Sequence, residues 1–330
     1  MTETILRRDR RHSLRWKSVA QFLAAEPTIV LTVFLIALMA ILNPYFLTVH
    51  NFLNVLRQAS IIGILTCGVS WMLISGSFDL SVGSIVSLCS VVMIGLLAQG
   101  VGVAQVLVIG VGVGVVAGVT NGLLIAWLKA NPMIVTLGTQ VVYQGLALIV
   151  SGGRWSRVPD NSPFLWIGNG KIGPIAVPSL IFLSLALIMQ LILSQTAFGN
   201  RVYAIGGNER AARLVGLKVT QYRVVLFIVT GLTSAMAAMV VGARAGSGSH
   251  FAGLGFEFDA ITAAVLGGTY LFGGRGSVAR GLWGAILLAL LANAQTILGI
   301  PVPVQLIVQG LVLTMMVGVQ VWVTEGTNSG

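Results

Sequence analysis

A carboxylate, Asp79, stands in the segment SGSFDLSVGS (75–84), with almost pure hydrocarbon sequence on both sides. Asp79 is one of only nine acidic residues in 330. An ionisable group in such surroundings can line a path for a polar solute through a membrane. Alternatively, Asp79 or Ser81 accepts hydrogen bonds from the first N–H groups of the helix that follows. The sequence leaves both roles open.

Amide side chains within or beside apolar runs form a second polar set: Asn121, Gln140, Asn293 and Gln295. Amides suit a path for a polyhydroxylated solute, and they equally join membrane helices through hydrogen bonds. Asn131 precedes Pro132 in KANPMIV, a pairing typical of a helix N-cap followed by proline in the first turn.

No residue pattern indicates a metal or a cofactor. Cys67 and Cys89 lie in apolar stretches, and the histidines are scattered, so metal-ligand spacing is missing. The segment GNGKIG (168–173) lacks the GxxxxGK[ST] spacing of a phosphate-binding loop. We therefore expect a chain that is not an enzyme and has no ATPase site of its own.

The composition places these residues in a membrane protein. Hydrophobic residues make up 56% of the chain and charged residues 8%, whereas soluble domains carry about 25% charged residues. Runs of about 20 apolar residues predict an all-α fold of about ten transmembrane helices. These runs are 27–47, 58–75, 82–98, 103–128, 133–151, 178–195, 223–243, 258–272, 278–298 and 303–322. The eighth run is short and precedes FGGRGS, which indicates a broken span.

Basic residues predict the orientation. With the N-terminus in the cytoplasm, 14 of the 19 basic residues fall inside and five outside, which follows the positive-inside rule. Ten spans also place the C-terminus inside. The predicted organisation is a basic cytoplasmic segment (1–26) without a cleavage site, a transmembrane domain (27–322) and a cytoplasmic tail (323–330). The domain includes an external loop (152–177) and a cytoplasmic loop (196–222).

The sequence around Asp79 resembles a segment in the second half of the chain. SGSFDLSVGS and GFEFDAITAA each contain Phe-Asp before a helical run of small residues, at Asp79 and Asp259. Their predicted positions on opposite sides of the membrane are typical of two inverted five-helix halves. Chance similarity between two apolar, glycine-rich segments is the alternative. The candidate path or hinge residues are Asp79, Asn121, Asn131, Asp259 and Asn293.

Two further patterns predict packing and an exposed helix. Glycines at every fourth position, Gly110, Gly114, Gly118 and Gly122, form one bare stripe along a helix, which favours close helix packing. In AIGGNERAARLVGL (204–217), Asn208 is a candidate N-cap, Glu209 and Arg213 form an i,i+4 pair, and Gly216 is a candidate stop. This short helix is either a solvated surface element or a docking element for a cytoplasmic partner.

Four segments together resemble the permease subunits of ribose-type ABC sugar importers, which include xylose, arabinose, galactose and autoinducer-2 systems. SGSFDLSVGS resembles that group's SGGIDLSVGS, with departures at Ser77 and Phe78. NPMIVTLGT resembles NPFIVTLGT, AIGGNERAARLVGL resembles AIGGNxxAARLSGI, and AVLGGTYLFGGRGSVARG resembles AVVLGGTSLFGGRGSVxGT, with Arg280 where glycine is usual. The four segments occur in the same order, and the resemblance covers nearly the whole chain.

The resemblance implies a permease in a bacterial inner membrane that translocates a monosaccharide or small polyol by alternating access. It implies a second permease, either a copy or a sister chain, an external sugar-binding protein and a cytoplasmic ATPase. The helix that would contact the ATPase maps to Gly206, Gly207, Asn208, Glu209, Arg210, Ala212, Arg213 and Gly216. The alternatives are a stand-alone secondary transporter or channel for a small polar solute, and a membrane scaffold.

Overall fold

The computed structural model describes the backbone of residues 27–328 and the side chains of residues 28–318. The predicted basic segment 1–26 and the last two residues of the predicted tail lie outside the described residues. The helices are α1 (Pro27–Leu42), α2 (Val49–Ile74), α3 (Val82–Ala98), α4 (Val103–Leu128), α5 (Pro132–Ser151), α6 (Leu165–Asn169), α7 (Val177–Gln195), α8 (Ala197–Gly207), α9 (Glu209–Leu214), α10 (Val219–Ala245), α11 (Phe256–Leu266), α12 (Val278–Ile297) and α13 (Val302–Asn328). The strands, of two residues each, are β1 (Ser156–Arg157), β2 (Lys171–Ile172), β3 (Ile175–Ala176) and β4 (Ser247–Gly248).

Six of the described helices are long and apolar enough to cross a membrane: α2, α4, α5, α7, α10 and α12. Shorter apolar helices cover Thr28–Leu42, Val82–Ala98 and Val302–Gly318. A span needs about 20 apolar residues, so the six longer helices alone make this a multi-pass membrane protein. The prediction of an all-α membrane fold is confirmed at this level.

The predicted boundaries agree with the structure where a polar residue or a glycine flanks the apolar run. The runs 82–98 and 103–128 coincide with α3 and α4. The second run was predicted to begin at 58, but α2 begins at Val49, because Thr48 accepts a hydrogen bond from Asn51 N at 3.2 Å and starts the helix through polar residues. The eighth run was predicted to reach 272, but α11 ends at Leu266, before Gly268 with φ +87°.

The core of the bundle is formed by α2, α3, α10 and α11. Nearly every residue of α3 from Val82 to Ile94 is buried, and α3 packs against α4, α5 and α10. A helix buried on all sides is expected to be apolar all round. On α3 the exceptions are small serines, including Ser84, Ser87 and Ser90, which are fully buried or nearly so.

The glycine stripe of α4 lies against α10, except for Gly110, which faces the side chain of Met93 on α3. A methyl group at Gly114 would come within 2.8 Å of Ala235 Cβ, and one at Gly122 would come within 2.8 Å of Val224 Cα, both on α10. Gly118 lies similarly against the backbone of Phe227. Glycine at these positions therefore lets α4 and α10 approach more closely than any side chain would allow.

The loop 152–177 is tied to the end of α10. Strand β1 pairs antiparallel with β4, so that Ser156 lies opposite Gly248, while β2 and β3 form a separate hairpin. Helix α6 packs on α10, and Asn169 Nδ2 donates to Ala243 O at 2.8 Å. These contacts fix the loop over one end of the helix bundle.

Candidate functional site

The chain breaks at the end of α2 and turns back into the bundle. Gly76 has φ +73°, a left-handed conformation that glycine adopts without strain. Ser81 occupies the N-cap position of α3 but makes no side-chain capping bond. Ser81 therefore does not cap α3 as expected. Asp79 does accept an N–H at this end of the helix, that of Ser81 at the N-cap position, and it also binds groups outside the helix.

Asp79 is the centre of a buried polar network. Its Oδ1 accepts from the Ser81 backbone N–H at 3.0 Å and from Ser81 Oγ at 2.6 Å, and its Oδ2 accepts from Thr230 Oγ1 at 2.6 Å. Ser81 Oγ accepts in turn from Asn121 Nδ2 at 2.8 Å, and Tyr143 Oη donates to Asn121 Oδ1 at 3.0 Å. The network thus joins the broken segment to α4, α5 and α10.

This network encloses the carboxylate. Asp79 is only 3% exposed, and its partner Thr230 lies near the middle of α10. Buried charges need full hydrogen bonding, because an unpaired one costs far more than a neutral polar group. In this conformation Asp79 holds three helices in register around the break and has no surface for a solute.

Three glycine-rich segments that are distant in sequence meet below the break, and we call this contact the glycine junction (Gly76, Gly206, Gly273 and Gly274). Gly274 N donates to Ile74 O, the last carbonyl of α2, at 2.9 Å. A methyl group at Gly206 would lie 2.7 Å from Gly274 N and would overlap Ile74 O. One at Gly273 would lie 2.9 Å from Gly76 Cα. The end of α8, the break after α2 and the segment after α11 are therefore in direct backbone contact.

The short helix predicted after Asn208 is present as α9. Asn208 Oδ1 accepts from Ala211 N at 3.0 Å, Arg213 pairs with Glu209 at 2.7 Å, and Gly216 has φ +83°. Arg223 at the start of α10 also pairs with Glu209. Burial raises the pKa of Glu209, but the two arginines outweigh it and hold the pKa below its ordinary value.

Helix α9 has one buried and one exposed apolar side. Ala212 is 3% exposed and packs with Ile205 and Val219. Leu214 and Val215, at its end, are 88% and 78% exposed. Neither residue was predicted as a contact from the sequence, although apolar side chains on a short charged helix are a recognisable signal for a contact surface.

A cavity of about 450 Å³ opens beside α9, between it and the adjoining ends of α4 and α10. Its charged lining residues are Lys129, Glu209, Arg213 and Arg223. Two of the predicted coupling residues, Glu209 and Arg213, line this cavity. Gly207, Asn208 and Arg210 are exposed around it.

The candidate amides mostly join helices. Asn293 on α12 and Asn51 on α2 exchange two hydrogen bonds of 3.0 Å. Asn131 caps α5 by accepting from Met133 N at 2.9 Å. In this conformation Asn293 and Asn121 therefore join helices, whereas Asn131 caps one.

The two similar Phe-Asp segments, around Asp79 and Asp259, differ in local structure. Both are preceded by non-helical segments, but Asp79 lies before α3, whereas Asp259 lies within the first turn of α11. Asp259 accepts a hydrogen bond from Gln309 on α13 and lines a cavity of about 200 Å³. A second carboxylate of α11, Glu257, is 2% exposed and accepts from Gln140 on α5 at 3.0 Å. Glu257 was missed, although an acidic residue in an apolar helix was the available signal.

Among residues 27–328, no group of three or more His, Cys, Asp or Glu side chains could hold a metal ion. Cys67 and Cys89 are buried free thiols.

Comparison with known proteins gives a consistent result. Residues 51–317 match the family described as the branched-chain amino acid transport system / permease component. The chain is 39% identical over 284 residues to the ribose import permease protein of Bacillus subtilis (strain 168), covering 86% of this chain and 88% of that protein. It is 36% identical over 278 residues to the L-arabinose transport system permease protein of Escherichia coli (strain K12), covering 83% of each. It is 33% identical over 278 residues to the D-allose transport system permease protein of the same strain, covering 84% of this chain and 85% of that protein. No solved structure matches the chain significantly.

Proposed function

Because this chain belongs to the family of the branched-chain amino acid transport system / permease component, we propose that it is the permease subunit of an ABC importer for a monosaccharide or small polyol. The observation that carries the proposal is the identity of 33–39% to permeases named for ribose, L-arabinose and D-allose, over more than four fifths of the chain. The substrate class follows from these three relatives, which share a sugar as cargo.

The proposed arrangement is a ten-span protein in the bacterial inner membrane, with both termini in the cytoplasm and two inverted five-helix halves. The partners are a second permease, an external sugar-binding protein and a cytoplasmic ATPase. The positive-inside distribution supports this orientation. It places loop 152–177 outside, where the binding protein docks, and α8 and α9 inside, where the ATPase docks.

The docking element for the ATPase is the segment from Gly206 to Gly216. Its exposed apolar pair, Leu214 and Val215, supports this assignment, because apolar side chains that no other part of the described chain covers favour a protein contact. The charged cavity beside α9 is the second part of the same surface.

The glycine junction provides the path by which ATPase closure reaches the membrane helices. Movement of α8 and α9 shifts Gly206 and Gly207, and Gly206 bears directly on Ile74 at the end of α2. The Asp79 network then joins the break to α4, α5 and α10. Helices that are rigidly joined at these contacts move together, as alternating access requires. The sugar shifts this equilibrium only through its different affinity for the two states.

Reconstitution tests the proposal. Liposomes that contain this permease with its ATPase, and that receive the binding protein outside and ATP inside, are expected to take up labelled ribose, L-arabinose or D-allose. The chain alone is expected to give no uptake. Uptake by the chain alone would instead identify a stand-alone transporter or channel. In the complete system, uptake that persists with a hydrolysis-deficient ATPase would contradict the coupling.

A further inference from the structure

The cavity between α2, α11, α12 and α13 combines a polar edge with an apolar wall. Gln58, Asp259 and Gln309 provide the polar groups, one from each of α2, α11 and α13. Ile62, Leu288, Ala289 and Ala292 are among the apolar residues that complete the lining. An apolar pocket with a few convergent polar groups is the usual form of a small-molecule site.

We propose that this cavity is a transit site that holds one monosaccharide on its way through the membrane, with Asp259 and the two glutamines binding its hydroxyl groups. The inference rests on the proposed function and adds to it a place where the permease itself contacts the sugar.

The chemistry of the lining favours a sugar. A carboxylate accepts hydrogen bonds from hydroxyl groups, and a primary amide both donates and accepts, so three such groups can bind several hydroxyls at once. The apolar wall suits the C–H face of a sugar ring. The volume of about 200 Å³ equals that of about six or seven water molecules in the liquid, which fits one monosaccharide and excludes longer oligosaccharides.

A metal cation fits the site less well. Hard cations take six or more oxygen ligands, and the described lining offers only three polar side chains, one of which already donates to another. Among the residues that the structure describes, no lysine or arginine lines the cavity, so none of them offers a positive charge to an anion. A neutral polyhydroxylated ligand is the class that these groups match.

The position of the cavity suits an entry site. In the proposed orientation, Gln58, Asp259 and Gln309 lie nearer to the external end than to the internal end of their helices. Gln309 donates to Asp259, and α13 packs mainly on α11. A ligand that replaces this hydrogen bond separates α13 from α11, which gives the sugar a direct effect on the position of the last helix. By contrast, Asp79 is fully enclosed by its network.

The test uses the complete transporter in proteoliposomes, with the labelled sugars ribose, L-arabinose and D-allose as probes. Asp259→Leu removes the carboxylate, and Ala292→Leu fills the cavity. Asp259→Asn keeps an acceptor without the charge. Ala279→Leu on the same helix α12 is the matched control, because Ala279 is exposed and does not line the cavity. Binding-protein-stimulated ATP hydrolysis is measured in parallel as the readout of an assembled complex.

The expected result is a loss of uptake of about tenfold or more in Asp259→Leu and in Ala292→Leu. In Asp259→Leu the sugar loses a hydrogen bond to a charged group, which is worth at least the free energy of one decade. In Ala292→Leu the larger side chain takes the space that the sugar would occupy. Ala279→Leu keeps wild-type uptake, and Asp259→Asn lies between. If Asp259→Leu does not assemble, Ala292→Leu still decides the question.

Three outcomes overturn the proposal. Uptake within twofold of wild type in Ala292→Leu, or in an assembled Asp259→Leu, removes the transit site and leaves the proposed function intact. An Asp259→Asn variant as inactive as Asp259→Leu, together with sodium-dependent uptake by the wild type, assigns the site to a cation. A wild-type complex that takes up none of the three sugars removes the proposed function itself.

Discussion

Replacing Gly206 by alanine adds one methyl group at the glycine junction, where the structure leaves no room for it. The methyl group would lie 2.7 Å from Gly274 N and 2.9 Å from Ile74 C, and would overlap Ile74 O. All three are backbone atoms, so the clash is not relieved by rotating a side chain. Overpacking of this kind costs about 1–3 kcal/mol.

Relief of the clash requires the segment after α11 to move away from α2. That movement breaks the 2.9 Å hydrogen bond from Gly274 N to Ile74 O, which adds about 0.5–1.5 kcal/mol. Alanine is favoured over glycine in a helix by up to about 1 kcal/mol, which offsets part of the cost. We expect Gly206→Ala to be destabilised by about 1–3 kcal/mol and to lose most ATP-driven uptake, because α8 no longer seats on α2.

Gly145→Ala on α5 is the matched control. It adds the same methyl group within a helix, outside the junction and the proposed docking segment, at a position where nothing lies within 4 Å. Thermal inactivation of the detergent-solubilised complex and sugar uptake in proteoliposomes measure the two effects. Equal behaviour of the two variants in both assays would refute the role of the junction.

Four further predictions test the other contacts. Asp79→Ala leaves buried donors unpaired, at a cost of about 1–3 kcal/mol each, so the amount of folded protein should fall sharply. Asp79→Asn keeps an acceptor and should fold. Equal yields of folded protein from the two variants would contradict the role of the network. Ala212→Asp buries a charge under α9 and should abolish co-purification of the ATPase while the membrane domain still folds, as judged by gel filtration. Gly118→Ala should destabilise the protein by about 1–3 kcal/mol, because the added methyl group meets the α10 backbone. Gly138→Ala adds a methyl group where nothing lies within 4 Å and should leave the stability unchanged. Thermal inactivation of the two variants measures the difference. The pKa of Glu209 lies below its ordinary value of 4.5, so its ion pairs stabilise the protein at pH values above 4.5 and lose their effect as the pH falls through the lowered pKa. A small difference in stability between the wild type and Glu209→Gln at neutral pH should therefore vanish in acid. A difference that grows in acid would contradict this reasoning.

Much of the helical organisation could be predicted from sequence because hydropathy is a local property. The bounds of α3 and α4 follow from apolar runs flanked by a polar residue or a glycine. The first turns of α2 were missed because His50, Asn51, Asn54 and Arg57 interrupt the apolar run. Only the distant Asn293, which bonds to Asn51, shows why a polar residue is tolerated there. Likewise α8 has too little apolar character to stand out, and α11 ends before Gly268, whose φ is +87°.

The candidate site was less predictable because its contacts are long-range. Asp79 stood out from its composition alone, but its partner Thr230 is 151 positions away and has no unusual local sequence. The glycine motifs around Gly76, Gly206 and Gly273 were each recognised, while their meeting point depends on the fold. Asp259 was identified because the dipeptide Phe-Asp occurs in both segments. Nothing in the sequence around Gln58 and Gln309 indicates that they line the same cavity as Asp259.

Accumulation against a concentration gradient is the most direct test of the central claim. Proteoliposomes carrying the permease and its ATPase are loaded with ATP and supplied with the binding protein and a labelled sugar outside. The claim predicts an internal sugar concentration above the external one, and its loss when the ATPase cannot hydrolyse ATP. Mere equilibration of the sugar, or accumulation without the ATPase, would contradict an ABC importer permease.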